Sequence, residues 1–192
     1  MSFQNFQTQA ASGRLLVVMR PASIERPWSE KVRALVDRRI GHAVATLESN
    51  LAVAPPVTVM VDARRGAPEL LWTAQALAQA LGQSDQQSLS FCNLRDLEGS
   101  SPTGVNILSP LMYQQWRWSE RRVPLVVTTD RVLVGLFSHV GLGITPQPRR
   151  SLPNGSYSLP PAEPHCFECL PNSSRLIYHR WKEPEEKRLE QA

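Results

Sequence analysis

The sequence predicts a mixed α/β domain, and three observations carry that prediction. Short apolar runs bounded by Arg or Pro alternate with helical periodicities through the front half. Two further apolar runs, 123–127 and 132–137, stand either side of a four-residue link. The composition, 42% hydrophobic and 20% charged over 192 residues, suits a chain that folds around one core. A chain of this size buries roughly 70% of the surface it exposes when unfolded, so it needs no disulfide or metal to hold that core.

Residues 1–12 are polar and are expected to be a flexible N-terminus. Leu15-Leu16-Val17-Val18-Met19, between Arg14 and Arg20, has the unbroken apolarity of a strand buried on both faces, and Pro21 ends it. Val32, Leu35, Val36, Ile40, Ala43, Val44 and Leu47 repeat at helical spacing over 29–49. Ser29 is the expected N-cap, Glu30 suits the positive end of the helix dipole, and Asn50 is the expected stop. Arg39 borders the apolar stripe and is expected to snorkel.

After Pro55-Pro56, Val57–Val61 reads as a second strand and Arg64-Arg65-Gly66 as a turn. A helix over 68–81 follows, with Pro68 in its first turn and Gly82 just past its end. Leu70, Ala74, Leu77, Ala78 and Leu81 share its apolar face. Its opposite face is Thr and Gln, neutral through solvation, partial burial or a partner.

Residues 89–94 alternate like a half-buried strand, 98–104 read as a loop, 105–108 as a short apolar segment and 110–119 as a helix. Val123–Val127 and Val132–Phe137, joined by Thr128-Thr129-Asp130-Arg131, read as an antiparallel hairpin, with Pro124 at an edge or a strand start. This hairpin, Arg122–Val127 followed by Arg131–Leu136, resembles the last hairpin of GAF sensory domains; the likeness is confined to it and carries no site residue. The domain is therefore placed at 13–142. From 143 to 192 the sequence reads as a Pro/Ser-rich arm with a final strand at 175–178 and a charged tail.

The net charge of +4 mildly favours acidic partners. Three cysteines, Cys92, Cys166 and Cys169, are too few and too odd in number for a disulfide framework. No signal-peptide pattern opens the chain, and no apolar run approaches the roughly 20 residues that span a bilayer. The expected setting is cytoplasmic.

Three sets of residues have chemical potential. His165, Cys166 and Cys169 hold a CxxC that can grip one Zn²⁺ through soft thiolates, though no second ligand pair accompanies it, so no cofactor is the leading expectation. Trp116, Arg117, Trp118, Arg121 and Arg122 interleave aromatic and cationic groups that suit stacked bases and phosphates, or a protein partner. Asp62, Asp96, Glu98 and Asp130 fall at strand ends or in loops, where α/β active sites gather. Ser100 and Ser101 lack a placed base, and the glycines after His139 follow no strand-to-helix turn. No nucleophile-elbow, zincin or Walker sequence is present.

With no catalytic constellation visible, the leading expectation is a non-catalytic binding, regulatory or assembly protein acting through protein–protein contacts, with a protein partner or a second copy of itself. The alternatives are an RNA or single-stranded nucleic-acid binder and a small α/β enzyme of unknown reaction, its catalytic residues unassigned.

Overall fold

Leu15–Met19 forms the expected strand, β1, and all five residues are buried. The computed structural model describes residues 15–23, 29–51, 57–62, 68–83, 89–92, 123–140, 159–169 and 176–181. Helix α1 (Glu30–Leu51) starts where expected: the Ser29 Oγ accepts the Val32 N–H at 3.3 Å, and the Ser29 carbonyl accepts the Arg33 N–H at 2.9 Å. It does not stop at Asn50. That side chain is buried and donates to the Thr46 carbonyl at 2.8 Å, so its polarity is satisfied inside the helix.

Strand β2 (Val57–Asp62) and helix α2 (Pro68–Ala80) follow, close to their expected bounds. Gly82 ends α2 in the left-handed region, with φ 70°. Its N–H bonds the Gln79 carbonyl at 3.1 Å, and the Gln83 N–H bonds the Ala78 carbonyl at 2.8 Å. These two bonds are a Schellman cap. The neutral face of α2 is partly a buried one: Thr73 is fully buried, and its hydroxyl accepts the Ala22 N–H at 3.0 Å.

Strand β3 spans Ser90–Cys92, and residues 93–94 of the expected strand lie outside the described residues. Strand β4 (Val123–Val127) appears as expected, but the hairpin does not. Residues Asp130–His139 form a helix, α3. The physical reason is position. β4 lies between β2 and β1, so both its hydrogen-bonding edges are taken and no following strand can pair with it. The next segment instead covers the bare face of the sheet. Val132, Leu133, Leu136 and Phe137 make its buried stripe, and the Thr129 carbonyl accepts the first helical N–H, from Leu133, at 3.3 Å. The likeness to a GAF hairpin ends with this helix. Pro124 is the second residue of a central strand, where one missing N–H removes a single ladder bond.

Two more strands complete the sheet: β5 (His165–Cys169) and β6 (Leu176–His179). Both lie beyond residue 142 and pair into the same sheet as β1. β5 was missed because His, Glu and Cys break the apolar pattern by which buried strands are read.

The six strands run in the order β3-β2-β4-β1-β5-β6. β3, β2, β4 and β1 are parallel, and β5 and β6 continue the sheet antiparallel. Leu15, Val17, Met19, Val59, Val61, Leu125 and Val127 face α1 and α2. Leu16, Val18, Met60, Val126 and Phe167 face α3. Each core side chain so buried contributes roughly 1.5–3 kcal/mol.

Candidate active site

The chain leaves β1 toward α1 on one face of the sheet and leaves the neighbouring β4 toward α3 on the other. This is a topological switch point, and open α/β sheets bind their ligands in the crevice beyond the carboxyl ends of strands at such a point. Four adjacent parallel strands set a row of non-aliphatic side chains there. The ladder pairs Asp62 with Cys92, and one step past the pairs Val61–Val127 and Met19–Val127 it aligns Asp62, Thr128 and Arg20. The row lies on the α3 side, one place beyond the apolar residues Met60, Val126 and Val18.

Its members are bonded to one another. The Thr128 hydroxyl donates to Asp62 Oδ2 at 2.6 Å, with both residues buried, and the Thr128 N–H donates to the Met19 carbonyl at 2.9 Å. Arg20 Nε lies 2.8 Å from Asp130 Oδ1, in the first turn of α3, and an Arg20 terminal N–H donates to the Leu159 carbonyl. Arg20 Nε and Asp130 thus form an ion pair. The Thr129 hydroxyl, beside this pair, is buried without a hydrogen-bond partner.

The segment carrying Arg20 is held from behind. Arg39 donates to the Ala22 carbonyl at 2.5 Å, which gives the expected snorkelling side chain a definite target, while Thr73 takes the Ala22 N–H. Both helices of one face thus fix the backbone that presents the guanidinium.

The charges differ in environment. Burial raises the Asp130 carboxyl above its ordinary range, and Arg20 only partly offsets that. Cys92 is pushed up to about 12, first by burial and then by the neighbouring Asp62, and stays a thiol. Asp130 is the accessible carboxyl here, with 31% of its side chain exposed against 11% for Arg20. A partly exposed carboxyl with a raised pKa beside a fixed cation is suited to proton transfer at a bound anion.

Asp62 and Asp130 were singled out by position in the sequence, and the structure brings both to this edge. Arg20 and Thr128 were missed as site residues. The signal for Arg20 was present, since it directly follows a buried strand. Asp96, Glu98, Ser100 and Ser101 lie outside the described residues, as do Trp116, Arg117, Trp118, Arg121 and Arg122. His139 ends α3.

Of the CxxC set, His165 and Cys166 face opposite sides of β5. Side chains of a strand alternate between faces. His165 packs on the α3 side against Phe137, with ring centroids 5.1 Å apart, while Cys166 belongs to the core under α1 and α2. Cys169 stands three strand positions beyond Cys166. Cys166 is fully buried and pushed up to about 12 by burial. Among the described residues no group of three or more His, Cys, Asp or Glu is arranged to hold a metal ion. No helix among them is long and apolar enough to cross a membrane.

No family model matches the sequence, and no curated protein matches it. Two solved structures are similar in layout. One is the mycobacterial glucosyl-3-phosphoglycerate phosphatase in complex with VO3, at 16% identity and TM-score 0.46, covering 88% of this chain and 98% of that one. The other is the SixA protein of Agrobacterium tumefaciens, assigned as a phosphohistidine phosphatase, at 13% identity and TM-score 0.45, covering 90% and 99%. Both are described as enzymes, whereas the leading expectation from the sequence was a non-catalytic protein working through protein–protein contacts. No residue role passes from either to this chain.

Proposed function

We propose that this chain is a small α/β enzyme that acts on a substrate bearing an oxyanion, at the carboxyl edge of β1 and β4. The observation that supports this best is the meeting of Arg20 and Asp130 at the switch point. Arg20 is the group to bind the anion, since a guanidinium offers several donors in a fixed plane. Asp130 is the group to donate or accept a proton there, its carboxyl raised by burial yet within reach of solvent. Asp62 and Thr128 form the floor, locking β2 to β4 so that Arg20 and the first turn of α3 keep their relative position. His165, paired with Val18 on this same face, is held down at about 4 by burial and carries no proton at neutral pH, so acid–base work falls to the Asp130 carboxyl.

The test is turnover of a panel of anionic esters, including p-nitrophenyl phosphate, by the wild-type chain and by Arg20→Gln and Asp130→Asn. Turnover that falls by about a hundredfold or more in either variant supports the assignment. A panel left untouched by the wild type, or turned over equally by both variants, sinks it.

A further inference from the structure

We infer that Asp130 is an internal plug: in the resting protein its carboxylate occupies the Arg20 guanidinium that a substrate oxyanion would engage, so that anion binding must displace it. The inference rests on the oxyanion site proposed above and adds its regulation.

Three observations converge on it. The Asp130 carboxylate stands 2.8 Å from Arg20 Nε, an ion pair at the position where a guanidinium would grip a substrate oxyanion. Arg20 cannot swing away to meet a ligand elsewhere, because a terminal N–H is committed to the Leu159 carbonyl and its backbone neighbour Ala22 is pinned by Arg39 and Thr73. Any anion must therefore come to Arg20 where it stands, and Asp130 already holds its Nε side. Finally, the carboxylate is under-compensated: burial costs it more than Arg20 returns. Released from Arg20, it regains water, and it is already the more exposed of the two. A resting state closed by such a pair lowers the apparent affinity for an external anion by the fraction of molecules in which the pair is open.

The experiment uses the full chain and sulfate as the probe, because sulfate keeps its charge across the working pH range. Binding is followed by amide chemical shifts of residues 128–131. Three forms are compared: wild type, Asp130→Asn, and Arg20→Gln with Asp130→Asn. Asp130→Ser serves as a second plug-less form, since Ser is well tolerated at a helix start. The expected result is sulfate binding tightened by about fivefold or more in Asp130→Asn and Asp130→Ser, and abolished in the double variant. Equal sulfate affinity in the wild type and the plug-less forms overturns the plug and leaves the enzyme reading standing. Absence of sulfate binding from every form removes both.

Discussion

Two ends of the same sheet bury a carboxylate, and they do so differently. At the carboxyl edge of the parallel strands, Asp62 accepts a hydrogen bond from the neutral Thr128 hydroxyl, and its row opens through Arg20 to the accessible Asp130. At the opposite end, level with Leu15, Glu168 is fully buried on β5. One of its oxygens stands 2.9 Å from His179 Nε2 on β6, and the other has no hydrogen-bond partner. The first arrangement leads outward to a charged pair at a switch point. The second pairs a fully buried Glu168 with a His179 side chain that is only 10% exposed. A buried carboxylate is thus not in itself a functional signal; what distinguishes the two is whether the polar row continues to solvent at a place where the topology leaves a crevice.

The comparison predicts opposite profiles for stability and function. The largest loss of stability is expected at the Glu168 end. His179→Ala leaves Glu168 without its partner and should cost on the order of 3–5 kcal/mol in urea unfolding. Sulfate binding by the protein that remains folded should be unchanged; weaker binding would tie the two ends together and break the contrast.

His165 gives the next effect. Burial holds its pKa down at about 4, against an ordinary 6.5. The folded form therefore disfavours the proton that the unfolded chain accepts. Stability present above pH 6.5 is lost as the pH falls toward 4, by roughly 3 kcal/mol. His165→Phe, set among Phe137, Phe167 and Tyr178, should lack that part of the acid loss. Unfolding free energies measured at pH 7 and pH 4.5 decide it: parallel declines in both proteins would show that His165 is not the titrating group.

At the open end, Thr128→Val strips Asp62 of the hydroxyl bond and should cost about 1–3 kcal/mol, less than His179→Ala. Because that bond locks β2 to β4 under the site, its removal should also weaken sulfate binding, which His179→Ala does not. Thermal unfolding and the sulfate titration together read both effects. The smallest change belongs to neither end. Gly82→Ala places a Cβ in left-handed backbone at the α2 cap and should cost about 1 kcal/mol, with sulfate affinity unaltered.

Much of the fold was legible because local chemistry and tertiary position agreed. The apolar runs at 15–19 and 57–61, the Ser29 cap, the stripe of α1 and the Gly82 stop all follow from short-range rules, and none needs a distant partner. The segment 132–137 shows the limit. Val, Leu and Phe in a row serve a strand or a buried helix equally well, and only the placement of β4 between two neighbours decides for the helix. β5 shows the converse, a strand hidden because it carries His165 and Glu168 into the interior.

The site divides in the same way. Position alone marked Asp62 and Asp130, because carboxylates that follow apolar runs fall at strand ends. Arg20 and Thr128 join them only through a ladder that sets residues 20, 62 and 128 side by side across three strands. By itself the sequence determined an α/β chain, its front-half elements, their caps and the candidate acids, since propensity, periodicity and capping act within a few residues. Only the tertiary structure decided the strand order, the helix at 130–139 and the meeting of Arg20 with Asp130, because these depend on which edges and faces of the sheet are already occupied when each segment arrives.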